Sequence, residues 1–414
     1  MPPGTEIPST YSSQRQYNGR MANMERIGIY GGSFDPPHIG HMQAAKQAAE
    51  ALGLDRLLMI PAGSPPHKGG CFVSGEHRLA MLRIACGDDP VLQPSDLEIA
   101  RGGISYTYET VETVYAAYPE AEIFLLMGSD MFLSLQNWKY PEKILHRATL
   151  AVFCRGHKDE QEKITQRKAE MEAQGHKVVT VSHSVINISS TQMRRLLAFQ
   201  CADEFLPAGV GEYIRQHGLY NVNADWKNLP MPELEKVVIS LLNPNRVNHV
   251  LGCRDTAARL AKIWGVDETD AARAGMLHDI TKAIDGPLQL TLCRAYGKVL
   301  SDFSQRYPKT LHALTGSLVA ERIFGENQAV VSAIESHTTG KGNMNMLEKI
   351  IYVADYMEPN RDFPGVDQLR HYAETDMDAA LKLGLTMTLE HLKRQGAEVS
   401  PESKEALAFL EVAL

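Results

Sequence analysis

Two histidines stand three residues apart in a glycine-rich segment near the start of the chain. The segment reads Gly31-Gly32-Ser33-Phe34-Asp35-Pro36-Pro37-His38-Ile39-Gly40-His41. It follows an apolar run typical of a β-strand, Ile27–Tyr30, and leads into a helical pattern. Glycines at such a junction let a phosphate approach the backbone, and the free N–H groups of a helix N-terminus attract negative charge. We therefore predict an anion site in which both histidines donate hydrogen bonds to one phosphoryl group.

The sequence carries neither of the two common phosphate-binding motifs. It contains no G-x-x-x-x-G-K-[ST] string and no G-x-G-x-x-G fingerprint. The segment around His38 must therefore bind phosphate by another arrangement.

A second set of histidines and aspartates is spread over separate helical patterns in the second half of the chain. Its members are His249, His278, Asp279, His312, His337 and Asp355. A helical bundle can direct such side chains into one interior site, and a buried carboxylate needs a compensating partner such as a metal ion. Imidazole and carboxylate donors suit Fe, Mn, Zn or Mg, and six donors suffice for two ions with Asp279 between them.

The elements that position the first site alternate between strands and helices. The strand candidates are Ile27–Tyr30, Arg56–Ile60, Ile123–Met127, Thr149–Phe153 and Lys177–Val181. Between them, His41–Leu52, Glu76–Ala85 and Thr107–Ala117 have helical spacing of apolar residues. This alternation predicts an α/β domain with a Rossmann-like, doubly wound parallel sheet over 24–221.

The pattern changes after Tyr220. A polar stretch with two prolines predicts a linker at 222–231. The rest, 232–414, is rich in Ala and Leu without alternating strands, which predicts an all-α helical bundle. The predicted helices are Asp255–Trp264, Asp270–Leu277, Ala313–Phe324, Gln328–Ser336, Met346–Tyr356 and Asp376–Gln395. Residues 1–23 are polar, and we interpret them as a disordered leader or extension.

Composition excludes several classes of protein. The chain has 414 residues, 44% of them hydrophobic, and a formal net charge of −8, so no basic excess points to nucleic acid. Its six cysteines form no C-x-x-C pair, which favours a reduced protein. No apolar run approaches the roughly 20 residues of a membrane span. We expect a cytoplasmic protein without membrane attachment; the oligomeric state stays open, and a homo-oligomer is one possibility.

The first half resembles the HxGH nucleotidyltransferase superfamily, and within it the bacterial nicotinate-nucleotide adenylyltransferases. The string Ile188-Ser189-Ser190-Thr191-Gln192-Met193-Arg194 resembles the second signature of that family, ISSTxxR. Further landmarks are Pro65–Lys68, Ser105–Thr107, Gly128–Asp130 and Trp138. One departure is Glu109, where the family more often has an aspartate; a carboxylate is retained.

The resemblance implies a reaction and its residues. Nicotinate mononucleotide attacks the α-phosphate of ATP, with Mg²⁺ on the phosphates, and the products are deamido-NAD and pyrophosphate. His38, His41 and Arg194 are the implied catalytic residues. The implied ATP-binding residues are Gly31, Gly32, Ser33, Phe34, His38, His41, Gly128, Asp130, Ile188, Ser189, Ser190 and Arg194. Lys68, Thr107 and Trp138 are implied for nicotinate mononucleotide; Trp138 can instead be a core residue, and Lys68 a solvated loop tip.

The second half resembles the HD-domain phosphohydrolases, on the pattern H…HD…D. The motifs Arg246–His249, His337–Gly340 and Ala354–Arg361 narrow the resemblance to the YqeK-like branch, the symmetrical diadenosine tetraphosphate hydrolases. The resemblance implies a binuclear site, with iron, that cleaves diadenosine tetraphosphate into two ADP. Lys282 is implied as a catalytic cation, and Lys282 with Arg361 as the polyphosphate-binding pair.

Alternatives remain for each half. The first can be an adenylyltransferase or cytidylyltransferase with another acceptor, such as phosphopantetheine. The second can be another nucleotide phosphatase, a cyclic-nucleotide phosphodiesterase or a non-catalytic nucleotide sensor. The two-activity interpretation predicts a multifunctional enzyme of NAD biosynthesis.

Overall fold

The computed structural model describes residues 24–63, 72–154, 158–182 and 188–413. The chain divides into two compact units at residues 186/187. This division lies before the predicted boundary at 222–231. Residues after the division already bond within the second unit, since Arg195 Nε donates to Leu241 O at 2.8 Å. The functional limits of the two domains stay a prediction.

The first unit contains a parallel sheet flanked by helices. The strands are β1 Arg26–Gly32, β2 Arg56–Pro61, β3 Leu92–Pro94, β4 Glu122–Gly128, β5 Ala148–Cys154 and β6 Val178–Ser182. The helices are α1 Ile39–Leu52, α2 Gly75–Cys86, α3 Leu97–Arg101, α4 Thr107–Ala117, α5 Ser129–Leu133, α6 Pro141–Arg147 and α7 Lys158–Ala173. The strand order is β3-β2-β1-β4-β5-β6, every pair parallel. The predicted doubly wound α/β fold is confirmed.

Alternating strand residues supply two hydrophobic cores, one on each face of the sheet. In β4, Ile123 and Leu125 are buried in one core, whereas Phe124 and Leu126 are buried in the other. Strands covered on both faces must be apolar at successive positions, which explains the continuous apolar run of β4.

The sheet topology places two of the predicted ATP segments at one edge. β1 pairs with β4, Tyr30 opposite Leu126, so that the carboxyl ends of both strands lie side by side. The chain order of the strands reverses between β1 and β4, and such a switch point is where open α/β sheets bind ligands. Gly31 and Gly128 stand at these two strand ends.

The second unit is helical. Its helices are α8 Ser190–Ala198, α9 Val210–Gln216, α10 Met231–Leu241, α11 Val247–Trp264, α12 Glu268–Leu277, α13 Gly286–Ala295, α14 Asp302–Arg306, α15 His312–Arg322, α16 Gln328–Ser336, α17 Met346–Met357, α18 Val366–Thr375, α19 Met377–Arg394 and α20 Pro401–Ala413. No strand occurs among its described residues. The predicted all-α bundle is confirmed.

Close packing of α11 against α12 brings their polar residues together. A Cβ on Gly275 of α12 would lie 2.9 Å from Arg254 Cα, so only glycine permits this approach. Asp267 caps the first turn of α12 by accepting a hydrogen bond from Asp270 N at 2.8 Å. The helix ends directly before His278.

In the ranges that the structure describes, no helix combines the length and apolar character needed to cross a bilayer. Among the described cysteines, Cys86, Cys201, Cys253 and Cys293 are free thiols.

Candidate active sites

His38 and His41 lie at the N-terminus of α1 with stacked rings. His38 directly precedes the helix, and the two ring centroids are 3.6 Å apart. The backbone N–H of His38 donates to His41 Nδ1 at 3.3 Å. In a neutral imidazole this bond assigns the proton to Nε2, which makes Nε2 of His41 a hydrogen-bond donor. The structure thus brings together the two histidines that the sequence pairs.

The His38 ring is buried without hydrogen bonds. Its residue is 3% exposed, and neither ring nitrogen has a partner among the described residues. Burial lowers the pKa of His38 to about 3, so the ring is neutral at physiological pH. An unpaired buried polar group costs about 1–3 kcal/mol. A ligand that hydrogen-bonds to the ring removes this cost, so the arrangement fits a ligand site.

The glycines of the predicted site have different surroundings. A Cβ built on Gly31 meets nothing within 4 Å, and the same holds for Gly128. A Cβ on Gly28, also in β1, would lie 2.6 Å from Leu54 and Leu57 side-chain atoms. Gly28 is therefore required by packing, whereas open space adjoins Gly31 and Gly128 at the strand ends.

Ser33 and Phe34 form the start of the loop between β1 and α1. Phe34 is fully buried with a φ of 45°, and its ring lies edge-on to His41 with centroids 5.0 Å apart. The carbonyl of Ser33 accepts a hydrogen bond from Arg78 Nη1 at 2.9 Å. The loop is therefore held by apolar packing on one side and by a guanidinium on the other.

Arg78 is a residue that sequence reasoning misses. It lies on α2, is 1% exposed, and also donates from Nε to Val73 O at 3.3 Å and from Nη2 to Gly63 O at 3.4 Å. Its guanidinium joins the loop after β1 to the segments before α2. In the sequence it is one charged residue in an amphipathic helix, and no spacing distinguishes it.

Asp130 and its neighbours follow β4. Asp130 is exposed on α5, directly after Gly128 and Ser129. The hydroxyl of Ser129 hydrogen-bonds to Glu160 of α7. An exposed carboxylate beside the switch point is able to contact a ribose, but its role stays a prediction.

Of the predicted nicotinate residues, two lie in the described ranges. Thr107 is the first residue of α4 and partly buried. Trp138 follows a short 3₁₀ turn and packs against the core that contains Phe132 and Leu135. This contact agrees with the packing interpretation of Trp138. Lys68 lies outside the described residues.

The second signature forms the start of α8, in the second unit. Ser189 caps the helix by accepting a hydrogen bond from Gln192 N at 3.3 Å. Arg194 Nη2 donates to Thr191 Oγ1 at 3.0 Å. Ile188 is buried and Ser190 is the first helical residue. Ser189 is thus the N-cap of α8, and the ATP-binding roles of these residues stay predictions.

The histidines and aspartates of the second unit form one cluster. His249 Nε2 on α11 lies 3.2 Å from His278 Nε2 and 3.2 Å from Asp355 Oδ1 on α17. Cys253, one helical turn after His249, belongs to the same group, in which all four donor atoms lie within 4.8 Å of one another. Such a group could hold a metal ion.

Asp279 joins this group to two further histidines. Its Oδ2 lies 3.4 Å from His278 Nε2. Its Oδ1 lies 3.5 Å from His312 Nε2 and 3.8 Å from His337 Nε2. The structure therefore brings all six predicted metal ligands together, with Asp279 between the two sides of the cluster.

Backbone carbonyls orient three of the imidazoles. Nδ1 of His278 lies 2.7 Å from Gly275 O, that of His312 lies 2.9 Å from Lys309 O, and that of His337 lies 2.7 Å from Ile334 O. Each Nδ1–H donates to its carbonyl, which leaves Nε2 as the nitrogen with a free lone pair. Metal-binding histidines are commonly fixed in this way.

The His249 ring has a carboxylate in the same place. Glu358, 1% exposed, has its Oε1 3.1 Å from His249 Nδ1. Glu358 Oε2 accepts a hydrogen bond from Asn360 N at 2.8 Å. Glu358 stands three residues after Asp355, a spacing that puts both near one helix face, but sequence reasoning gave it no role.

Burial and nearby charges shift the pKa values of the histidines in the cluster. Burial lowers the pKa of His312 to about 4 and that of His337 to about 3. Burial also opposes a charge on His249, but a hydrogen bond to Asp355 raises the pKa of His249 to about 9. The carboxylate of Asp355 thus favours positive charge on His249.

Asp279 supplies a test of whether the cluster fits a metal ion. It is completely buried, and its Oδ1 has no hydrogen-bond partner in the described part of the chain. Burial raises the pKa of Asp279, but the charges of His278 and Lys282 more than offset this and hold it well below its usual range. An ionised, buried and unpaired carboxylate oxygen beside imidazole Nε2 atoms fits a divalent cation.

Three cations surround the cluster. Lys282 Nζ lies 2.9 Å from His312 Nε2, and Arg361 Nη2 donates to Asp355 Oδ1 at 2.7 Å. Arg246, to which the sequence analysis gave no role, donates from Nε to Asp279 Oδ2 at 2.6 Å. Thus both predicted polyphosphate-binding cations contact ligand candidates.

Both halves of the chain match known protein families. The cytidylyltransferase-like family matches residues 29–196, and the HD domain matches residues 246–360. These two matches coincide with the glycine-histidine segment and with the cluster around Asp279.

Several relatives match one half of the chain. A probable nicotinate-nucleotide adenylyltransferase of Neisseria meningitidis serogroup C is 36% identical over 203 residues, 48% of this chain and 99% of the relative. A protein of the same name from Gemmatimonas aurantiaca is 38% identical over 196 residues, 47% of this chain and 92% of the relative. A Clostridium acetobutylicum structure, an HD superfamily hydrolase described as involved in NAD metabolism, is 36% identical over 45% of this chain and 99% of that chain, with a TM-score of 0.44.

Some similarity extends over both halves of the chain, as in the following relative. It is a Mycoplasma pneumoniae protein named probable nicotinate-nucleotide adenylyltransferase/Ap4A hydrolase. It is 29% identical over 373 residues, which are 88% of this chain and 98% of the relative.

Proposed function

Because this chain belongs to the nicotinate-nucleotide adenylyltransferase family and carries an HD domain in its second half, we propose that it is a bifunctional enzyme. The first activity transfers AMP from ATP to nicotinate mononucleotide. The second hydrolyses diadenosine tetraphosphate to two ADP. The relative that matches both halves bears both activities in its name, which supports the pairing.

The buried, unpaired ring of His38 carries the first assignment. It stands directly before α1, where backbone N–H groups attract an anion. The 5′-phosphate oxygen of nicotinate mononucleotide forms a bond to the α-phosphorus of ATP while the bond to pyrophosphate breaks. The nucleophile is already an anion, so the protein needs no general base. Its task is to align the two phosphates and stabilise the growing charge.

His41 is the proposed donor to the α-phosphate. Its Nδ1 accepts the His38 N–H, so the Nε2–H is oriented by a backbone bond before substrate arrives. A hydrogen bond that strengthens as charge develops in the transition state lowers the activation barrier. It leaves the affinity for ATP nearly unchanged. Mg²⁺ on the ATP phosphates and Arg194 of the second signature complete the proposed set.

The binding site for the nicotinate ring is proposed from a further group of residues. Thr107 at the start of α4, Trp138 and Lys68 are proposed to bind nicotinate mononucleotide. Another acceptor, such as phosphopantetheine, stays the alternative. Rates with nicotinate mononucleotide, nicotinamide mononucleotide and phosphopantetheine decide between them, and a chain active only with phosphopantetheine would contradict the proposal.

A pair of glycine variants tests the ATP site. Gly31→Ala adds a methyl group into open space, so the fold should be unchanged. The adenylyl transfer rate should fall by about 10-fold to 100-fold, since a misplacement of about 1 Å can cost about 10²-fold. Gly28→Ala is the control, because its methyl group overpacks Leu54 and Leu57 and should cost about 1–3 kcal/mol of stability. A Gly31→Ala protein with the normal rate and stability would remove this segment from the site.

The buried, unpaired Oδ1 of Asp279 carries the second assignment. We propose that His249, His278, Asp279 and Asp355 hold one divalent ion, and that Asp279, His312 and His337 hold a second; iron is the proposed metal. Such ions stabilise charge on phosphate oxygens and make water more acidic. Lys282 and Arg361 supply further positive charge for the polyphosphate.

Metal analysis and hydrolysis assays test this assignment together. The purified chain should contain about two ions and release ADP as the sole product from diadenosine tetraphosphate. Lys282→Ala should keep its metal and hydrolyse more slowly, because the lysine is proposed to face phosphate. A metal-loaded chain that cleaves only nucleoside monophosphates or cyclic nucleotides would favour the alternative phosphohydrolases. One that binds nucleotides without cleaving any of them would favour a sensor.

A further inference from the structure

Cys253 is the one thiol of the described residues that stands among the metal-ligand candidates. It lies on α11 four residues after His249, on the same face of the helix, and is 1% exposed. Its Sγ is 3.6 Å from His249 Nε2. With His249, His278 and Asp355 it forms a four-donor group.

The spacing of these atoms suits a shared ion. A tetrahedral ion with metal–nitrogen bonds of about 2.1 Å and metal–sulfur bonds of about 2.3 Å separates N from S by about 3.6 Å. That separation matches the distance between Cys253 Sγ and His249 Nε2. The distances from His249 Nε2 to His278 Nε2 and to Asp355 Oδ1, 3.2 Å each, are also short enough for neighbours in one shell.

We propose that Cys253 is a thiolate ligand of the ion held by His249, His278 and Asp355. The inference rests on the proposed metal site of the second unit and adds a sulfur donor to it. When the ion binds, the S–H bond breaks, the proton passes to solvent and a metal–sulfur bond forms, without any change of oxidation state. The Cys253 thiol donates to Ala354 O at 3.8 Å, a weak contact that it can give up at little cost.

A thiolate at this position makes the two halves of the cluster unequal. The group around Asp279 and His337 contains only nitrogen and oxygen donors. Soft sulfur favours Zn²⁺, Co²⁺ or Fe²⁺ over Mg²⁺ and Mn²⁺. The ion beside Cys253 should therefore discriminate among metals more strongly than its neighbour.

Cobalt substitution of the full chain tests this directly. Thiolate bound to Co²⁺ gives an intense near-ultraviolet charge-transfer band, which nitrogen and oxygen donors do not give. The chain loaded with Co²⁺ should show this band. Cys253→Ala and the near-isosteric Cys253→Ser should lose it, with Co²⁺ affinity lowered about 10-fold to 100-fold and Mn²⁺ affinity changed less. Cys293→Ala is the matched control, since Cys293 is fully buried on α13 in the same unit and should leave the band intact.

Cobalt content separates failure of this inference from failure of the metal site. A chain that binds Co²⁺ without the band, or a Cys253→Ala protein that keeps it, would overturn the thiolate ligand and leave the nitrogen and oxygen site standing. A chain that binds no Co²⁺, Fe²⁺ or Zn²⁺ at all would overturn both.

Discussion

Histidines are arranged differently in the two units. In the first, His38 and His41 lie within one continuous segment between a strand and a helix. In the second, four histidines come from α11, α15 and the ends of α12 and α16. We propose that the first arrangement offers N–H groups to an anion and that the second offers lone pairs to a cation. The residue type alone therefore does not reveal which ligand a histidine binds. The hydrogen bond at one ring nitrogen indicates whether the other nitrogen is a donor or an acceptor.

The electrostatic surroundings of the histidine rings also differ between the two units. Burial alone lowers the pKa of His38, whereas Asp355 raises that of His249 against burial. A neutral ring suits a phosphate site that already contains a helix N-terminus. A ring beside carboxylates suits a site whose positive charge arrives as an ion.

The largest effect should come from Asp279, because it contacts histidines on both sides of its cluster. Asp279→Ala should remove most bound metal and lower diadenosine tetraphosphate hydrolysis by more than about 100-fold, since even the loss of an outer partner costs about 10-fold to 100-fold. Asp302→Ala, at an exposed position of α14, is the control. Elemental analysis beside the hydrolysis assay measures both quantities, and full metal in Asp279→Ala would rule out the proposed bridging position.

His41 should give the next largest effect, on the other activity. His41→Ala should lower kcat for deamido-NAD synthesis by about 10²-fold to 10³-fold, the usual cost of one transition-state donor. The ATP dissociation constant should change little. His146→Ala, an exposed histidine of the same unit, is the control. Equal losses in binding and rate would make His41 an anchor of the ground state.

Glu358 should have a smaller effect, through His249. Glu358→Gln removes the negative charge beside His249 Nδ1 and should lower metal affinity about 10-fold to 100-fold. Glu348→Gln is matched to it, because Glu348 is equally buried on α17 but bonds to Ser332 and Lys341. Metal titration of both variants checks the prediction, which fails when Glu358→Gln binds metal as tightly as the parent.

The smallest effect concerns stability in acid. The pKa of His38 is about 3 in the folded unit and about 6.5 when unfolded, so the unfolded chain binds one more proton between these values. The free energy of unfolding should thus fall by about 1.4 kcal/mol per pH unit as the pH drops below about 6. His38→Gln should lose this one-proton contribution. Urea unfolding followed by Trp138 fluorescence, with Trp226→Phe and Trp264→Phe in both proteins, measures the slope; equal slopes would contradict the burial.

Long apolar elements could be predicted from the sequence. The five predicted strands agree with the structure to within two residues at each end, and Gln328–Ser336 agrees completely. The three-residue β3, Leu92–Pro94, is too short to show alternation. Helix α7, Lys158–Ala173, was missed because charged residues dominate its sequence and obscure the apolar period.

The site residues also differ in whether the sequence alone predicts them. The two histidines of the first site could be found because neighbours in sequence stay neighbours around a helix start. The six residues of the second cluster could be predicted as a group because histidine followed by aspartate in an apolar helix is rarely a packing feature. Arg78, Glu358 and Cys253 could not, since their roles depend on which carbonyl, ring or donor atom the fold brings beside them.

Both activities, measured on the full chain and on two variants, test most directly the claim that the two sites do separate chemistry. His41→Ala should lose adenylyl transfer and keep diadenosine tetraphosphate hydrolysis and metal within about twofold, because its proposed role concerns only the substrates of the first activity. Asp279→Ala should show the reverse, with transfer intact. Loss of both activities in either folded variant would contradict the claim that the two sites do separate chemistry.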